Sequence, residues 1–192
     1  MENLEKYKKE KVNIDLYCVN VFALILIIPT VLIYGLPYYL IWKDEIHFKD
    51  FSLLHLLGSS WIFLIALIIG IVAHELIHGA AWAGFAKNGF KSIKFGIMWK
   101  MFTPYCHCKE PLKVGQYTLG GIMPAIILGF IPAIWAIIIG NIGLLVFGMF
   151  FTVAAGGDFL IINALRKEKK DTLIEDHPSE VGYYAYRLNR EE

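Results

Sequence analysis

Four runs of mostly apolar residues, each about as long as a bilayer core is thick, constrain this chain more than any other feature. They fall at about residues 17–41, 53–85, 117–139 and 142–165. Inside lipid a backbone N–H or C=O finds no water, so such a run must satisfy itself as a helix. With 57% hydrophobic and only 18% charged residues, the 192-residue chain is poorer in charge than an ordinary soluble domain. The expected fold is an all-α polytopic membrane protein, one domain over residues 1–192, with about four transmembrane helices. The first run, which contains Pro29 and Pro37, is too long for a cleaved signal peptide and is expected to remain as an anchor. Only Gly140 and Asn141 separate the last two runs, which predicts a tight helical hairpin.

Net charge is close to balance, at +1, but its distribution carries a direction. Lys6, Lys8, Lys9 and Lys11 precede the first run, lysines 87 to 113 populate the middle connection, and Arg166, Lys167, Lys169 and Lys170 follow the last run. The 43–52 loop is balanced or acidic, and the 140–141 turn is uncharged. Basic residues stay on the cytoplasmic side, so the expectation is a multi-pass protein of the cell membrane with both termini and the middle connection in the cytoplasm. The basic flanks read as membrane-surface contacts, and no nucleic-acid motif is present. Three cysteines, Cys18, Cys106 and Cys108, give no disulfide framework.

The second run holds "HELIH" at residues 74–78. An ionisable side chain at mid-bilayer costs about 2.5–3.5 kcal/mol even on a lenient scale, so three of them there need a reason. Residues i and i+4 share a helix face, which lets His74 and His78 present two imidazole nitrogens to one zinc ion. Glu75 then stands beside the open coordination position, where a carboxylate can take a proton from water and pass it to a departing amine. A third protein ligand is needed. Asp158 is the only acid between Gln116 and Arg166. His78 lies nine residues before Lys87 and Asp158 eight before Arg166, which puts both roughly 12–14 Å in from their basic flanks. The two runs also cross in the same direction, so the expected metal ligands are His74, His78 and Asp158, with Glu110 as the alternative third. Ala154, Ala155, Gly156 and Gly157, just before the aspartate, suit close helix approach.

The middle connection reads as a small cytoplasmic β-hairpin, about 92–99 and 104–110. Its edge could pair with an extended substrate, or it could cover the cytoplasmic mouth of the site. Cys106 and Cys108 supply only two thiols, too few for a separate metal site. Tyr105 and His107 are candidate hydrogen-bond donors to a transition state. In the tail, "VGYYAYRL" is expected as a strand joining the hairpin, and His177 as a turn residue before Pro178.

"HELIHG" in an apolar helix, with "GGD" in a later one and four short spans, resembles the site-2 protease clan of intramembrane zinc metalloproteases. "AHELIHG", "CKEPL" and "DHPSEVGYY" are more closely similar to a family of bacterial membrane proteins known as zincin peptidases. The resemblance implies a Zn2+ site buried from lipid, a membrane protein or peptide as substrate, His74, His78 and Asp158 as ligands, and Glu75 as general base and acid. The chain departs from the clan in having no Asn/Pro stretch before the aspartate and no "DG" at it. No residue is therefore assigned to clamping the substrate or stabilising an oxyanion. The alternative function is a non-catalytic metal-binding membrane sensor or accessory protein.

Overall fold

The computed structural model describes residues 7–45, 53–98, 103–177 and 180–188, with the side chains of 53–60, 98 and 103 excepted. The far part of the 43–52 loop, the hairpin turn and Pro178 lie outside those residues.

A short strand, β1 (Tyr7–Asn13), comes first. The Asp15 carboxylate then accepts the Tyr17 N–H at 2.8 Å and starts α1 (Leu16–Thr30). A π-helical turn, Val31–Gly35, leads into α2 (Leu36–Trp42). That wide turn lies one turn ahead of Pro37, whose ring would otherwise press on the carbonyl four residues back. After α3 (Leu53–Ala83) come a 3-10 turn (Gly89–Ser92), strands β2 (Ile93–Met98) and β3 (Thr103–Cys108), and the two-residue β4 (Leu112–Lys113). Helix α4 (Val114–Pro124) passes through a second π-helical turn, Ala125–Phe130, into α5 (Ile131–Ile139), again just ahead of a proline, Pro132. Gly140 takes a left-handed φ of 73° and closes α5. Asn141 caps α6 (Ile142–Ala154) by accepting the Leu144 N–H at 2.8 Å. The expected tight hairpin between the last two runs is thus present.

Helix α7 (Gly156–Leu165) follows, then β5 (Leu173–Asp176) and β6 (Gly182–Leu188). The 142–165 run is therefore not one straight helix: α6 and α7 meet at a 43° bend at Ala155. The small residues around the break do allow close packing, since α7 lies against Val19 and Ala23 of α1 at Gly157 and Gly156. They also let the helix break. Among the described residues, three helices are long and apolar enough to cross a membrane, or four if the bent pair counts as one span.

The all-α expectation needs correcting in one more respect. Besides the expected β2–β3 hairpin, whose register sets Ile93 opposite Cys108 and Met98 opposite Thr103, there is a four-stranded antiparallel sheet of order β1-β6-β5-β4. Strand β6 does not join the hairpin. It pairs with β1 (Asn13 opposite Gly182, Tyr7 opposite Leu188) and with β5. The lysine-rich start of the chain is thus a sheet strand as well as a basic flank.

Two cores hold the molecule together. One gathers Trp82 and Ala83 from the end of α3, Leu165 from the end of α7, Tyr117 of α4, Cys108, and Ile174, Tyr183 and Ala185 of the sheet. The other lies around Tyr34, Tyr38, Ala133, Ala136 and Leu145. There the Tyr38 hydroxyl donates to Gly140 O at 2.8 Å and the Trp42 indole N–H to Ile137 O at 2.9 Å. The C-terminal ends of α3 and α7 thus meet in the same core.

Candidate metal centre

One helical turn separates His74 from His78, and both rings leave α3 on the same buried face. Their Nε2 atoms stand 3.2 Å apart. Asp158, in the first turn of α7, where unpaired helix N–H groups favour negative charge, meets both: Oδ2 lies 3.3 Å from His74 Nε2 and Oδ1 3.4 Å from His78 Nε2. Among the described residues this is the one group of three or more His, Cys, Asp or Glu side chains whose ligand atoms converge.

These separations test the fit to zinc. Ligands 2.0–2.1 Å from a tetrahedral zinc are about 3.3–3.4 Å from one another; the two Nε2 atoms stand 3.2 Å apart and the carboxylate turns one oxygen to each imidazole, Oδ2 at 3.3 Å from His74 and Oδ1 at 3.4 Å from His78, so the donor set fits one zinc ion. The outer nitrogen of His78 supports the same reading, because Nδ1 donates to Gly120 O at 2.9 Å and leaves Nε2 to face inward. Behind that ring Trp82 stacks at 5.0 Å with planes 13° apart, and Tyr117 stacks on Trp82 at 5.1 Å. The Trp82 indole N–H donates to Tyr117 O at 3.1 Å. His78 is fixed by packing on one side and by a carbonyl on the other.

Glu75 is held separately. Its carboxylate faces the backbone N–H of Cys106, so β3, which packs on α3, is placed to set its position. Residues of β3 alternate in direction: Lys109 N–H reaches Ser92 O across the hairpin at 2.8 Å, whereas Cys106 and Cys108 point their N–H groups outward. Cys108 N–H donates to Asp176 Oδ2 at 2.8 Å, and Pro104, the third outward position, has no N–H. The outer edge of β3 therefore offers an extended peptide no unclaimed N–H, and the hairpin grips side chains of the site instead.

A cleft of about 580 Å³ opens beside the three ligand atoms. Its walls include Val19 and Asn20 of α1, Tyr105 and His107 of β3, and Asp176 and His177. Asp176 accepts the Tyr117 hydroxyl at Oδ1 and lies 3.9 Å from His107 Nδ1. Burial raises its pKa, against the pull of the Tyr117 hydroxyl and the Cys108 amide.

Glu110 is not brought to the cluster. It accepts Lys87 N–H at 2.8 Å, Ser92 O–H at 2.7 Å and the Asn88 amide, and so ties down the turn after α3. The Ser92 bond, with the others and against some desolvation, holds its pKa below the usual carboxylate range. His177 Nδ1 accepts the Glu180 N–H at 3.0 Å within its turn, as expected, yet the ring also lines the cleft. Burial pushes the Cys108 thiol up to about 11 and raises that of Cys106, so both are thiols rather than metal-binding thiolates at neutral pH. Sequence reasoning missed Asp176, whose signal was its place in "DHPSEVGYY", and the backbone groups of Cys106 and Gly120, for which residue identity gives no signal.

A family model described as "Putative zincin peptidase" matches residues 67–173, which include His74, Glu75, His78 and Asp158. The chain belongs to that family. Comparison with curated proteins and with solved structures finds no match. Membership points to zinc and to metallopeptidase chemistry, and it does so independently of the ligand-atom spacing.

Proposed function

We propose that this family member is a zinc-dependent intramembrane metalloprotease of the site-2 protease type, cutting peptide bonds in membrane-embedded or membrane-adjacent substrates. The observation that carries this reading is the convergence of two imidazole nitrogens and one carboxylate, with Glu75 next to His74 and a cleft alongside. His74, His78 and Asp158 are the metal ligands, and Glu75 is the general base and acid. A zinc ion held there supplies an electrophile that polarises a peptide carbonyl and acidifies water. Glu75 takes one proton from water as its oxygen bonds to the carbonyl carbon. It returns that proton to the nitrogen as the C–N bond breaks, leaving an amine and a carboxylic acid, which then gives its proton to the amine to form ammonium and carboxylate.

The membrane setting is supported by the outer faces of the helices. Leu24, Ile28, Ile33, Trp61, Ile62 and Ile138 are each at least 60% exposed, a cost in water that lipid removes. The metal cluster lies on the side of α3 and α7 that leads to the basic connection and tail, consistent with a site opening toward the cytoplasm and with both termini there. The whole of 1–192 acts as one unit on this reading, and its partners are the bilayer and a membrane protein or peptide substrate.

The test uses the purified chain in proteoliposomes with a set of fluorogenic single-span peptides. Glu75→Gln should keep about one zinc per chain and lose cleavage by about 10²–10⁴-fold. Cleavage unchanged by that substitution removes the peptidase reading. Zinc binding with no cleavage by the wild-type chain favours a metal sensor or accessory protein.

A further inference from the structure

His107 has a setting that the peptidase reading leaves unused. It follows Cys106, the residue whose N–H holds Glu75, at a Cα spacing of about 3.8 Å. It precedes Cys108, whose N–H holds Asp176. Two carboxylates thus grip alternate amides along the outer edge of β3, and the imidazole stands between them in the wall of the cleft.

Asp176 is built to orient that ring. Its Oδ1 takes the Tyr117 hydroxyl and its Oδ2 the Cys108 amide, so the carboxylate cannot turn away. His107 Nδ1 faces Oδ2 at 3.9 Å, and both side chains are only 13% exposed. Nε2 meets no partner among the described residues. An imidazole whose Nε2 carries a proton can donate a hydrogen bond into the cleft.

We infer that His107 is a catalytic residue, donating a hydrogen bond from Nε2 to the oxygen of the scissile carbonyl as negative charge builds there. Asp176 is its positioning residue, and Tyr117 fixes Asp176. The inference rests on the peptidase reading above. Such a donor acts where charge develops and leaves substrate binding nearly alone, because the ground-state carbonyl needs it less.

The experiment takes the full chain in proteoliposomes with a fluorogenic single-span peptide that the wild type cleaves. His107→Ala should lower kcat by about 10²–10³-fold while KM moves less than about threefold. Zinc per chain should stay at the wild-type level. His107→Gln, which keeps a neutral donor, should recover part of the loss, and Asp176→Asn should lower kcat in the same direction. A phosphinate analogue of the peptide, a tetrahedral mimic, should bind His107→Ala more weakly by a similar factor, whereas the uncleaved peptide on a Glu75→Gln background should bind equally well with and without His107. An active wild type with kcat kept in His107→Ala overturns this inference and leaves the peptidase reading standing. A fall in kcat matched by loss of zinc makes the residue structural and overturns it too. A wild type as inert as Glu75→Gln removes both.

Discussion

Gly120 lies so close to Trp82 that a Cβ at position 120 would stand 2.1 Å from the indole Cδ1 and Nε1 atoms. The indole is stacked on His78, and the Gly120 carbonyl accepts the proton of His78 Nδ1, so one residue of α4 controls both supports of that ring. Gly120→Ala cannot be accommodated by bending a flexible side-chain end, because the buried indole would have to leave its stack. Overpacking of this kind should cost about 1–3 kcal/mol of stability. Losing the support of the ring should weaken zinc binding by about 10–100-fold. Thermal unfolding and metal titration of the detergent-solubilised variant measure the two effects, and unaltered zinc affinity would show that Trp82 and Gly120 do not position His78.

Asp158 and Glu110 are separated by the same kind of measurement. Asp158→Asn replaces a charged oxygen that faces both imidazoles with a neutral amide, and zinc retained after dialysis should drop well below one per chain. Glu110→Gln should hold zinc normally. It should instead loosen the turn after α3, where Glu110 joins Lys87, Asn88 and Ser92, and raise amide hydrogen exchange there. The opposite pattern would return Glu110 to the ligand set.

Cys106 offers a way to remove one backbone hydrogen bond cleanly. Its N–H points away from β2, toward Glu75, so Cys106→Pro deletes that bond without touching the hairpin ladder. Pro104 already occupies the same kind of position two residues earlier. Zinc content should persist while cleavage falls by about 10–100-fold, as for other outer-sphere partners. Cys106→Ala, which keeps the N–H, should cleave normally, and equal activity in the two variants would mean that the amide does not orient Glu75.

The thiol of Cys108 predicts a pH dependence of stability. Burial raises its folded pKa to about 11 from the ordinary 9.0 of a free thiol, so between those values the folded chain holds a proton that the unfolded chain has released. More protons bound in the folded state mean stability that is present below pH 9 and falls as pH rises toward 11. Cys108→Ala should flatten that segment of the stability curve in thermal unfolding between pH 8 and pH 11. In the folded chain at pH 8, iodoacetamide should reach exposed Cys18 before Cys108, and a comparable rate at both would contradict the burial.

Much of this architecture is legible in the residue pattern because long apolar helices carry their own signal. Run lengths give the helices within a few residues, and counting inward from Lys87 and Arg166 puts His78 and Asp158 at one depth, where their side chains do meet. What stays hidden depends on distant partners. Strand β1, "YKKEKVN", has the lysines of a membrane flank and becomes a strand only because β6 lies beside it. The break at Ala155 is hidden for another reason, since small residues serve close packing and a bend equally well. Asp176 reads as one more acid in a polar tail until the fold folds it back against Cys108 and Tyr117.

The pairing of β1 with β6 also sets an order of assembly. Glu10 and Arg187 form an ion pair across 177 residues of chain, and the turn before β6 carries His177 and Glu180 into the cleft wall. His74, Glu75 and His78 are made well before Asp158, and β1 has no partner strand until β6 has been made. A chain made only as far as α6 therefore holds Glu75 and two of the three clustered side chains, with neither Asp158 nor the part of the cleft wall that the turn before β6 supplies.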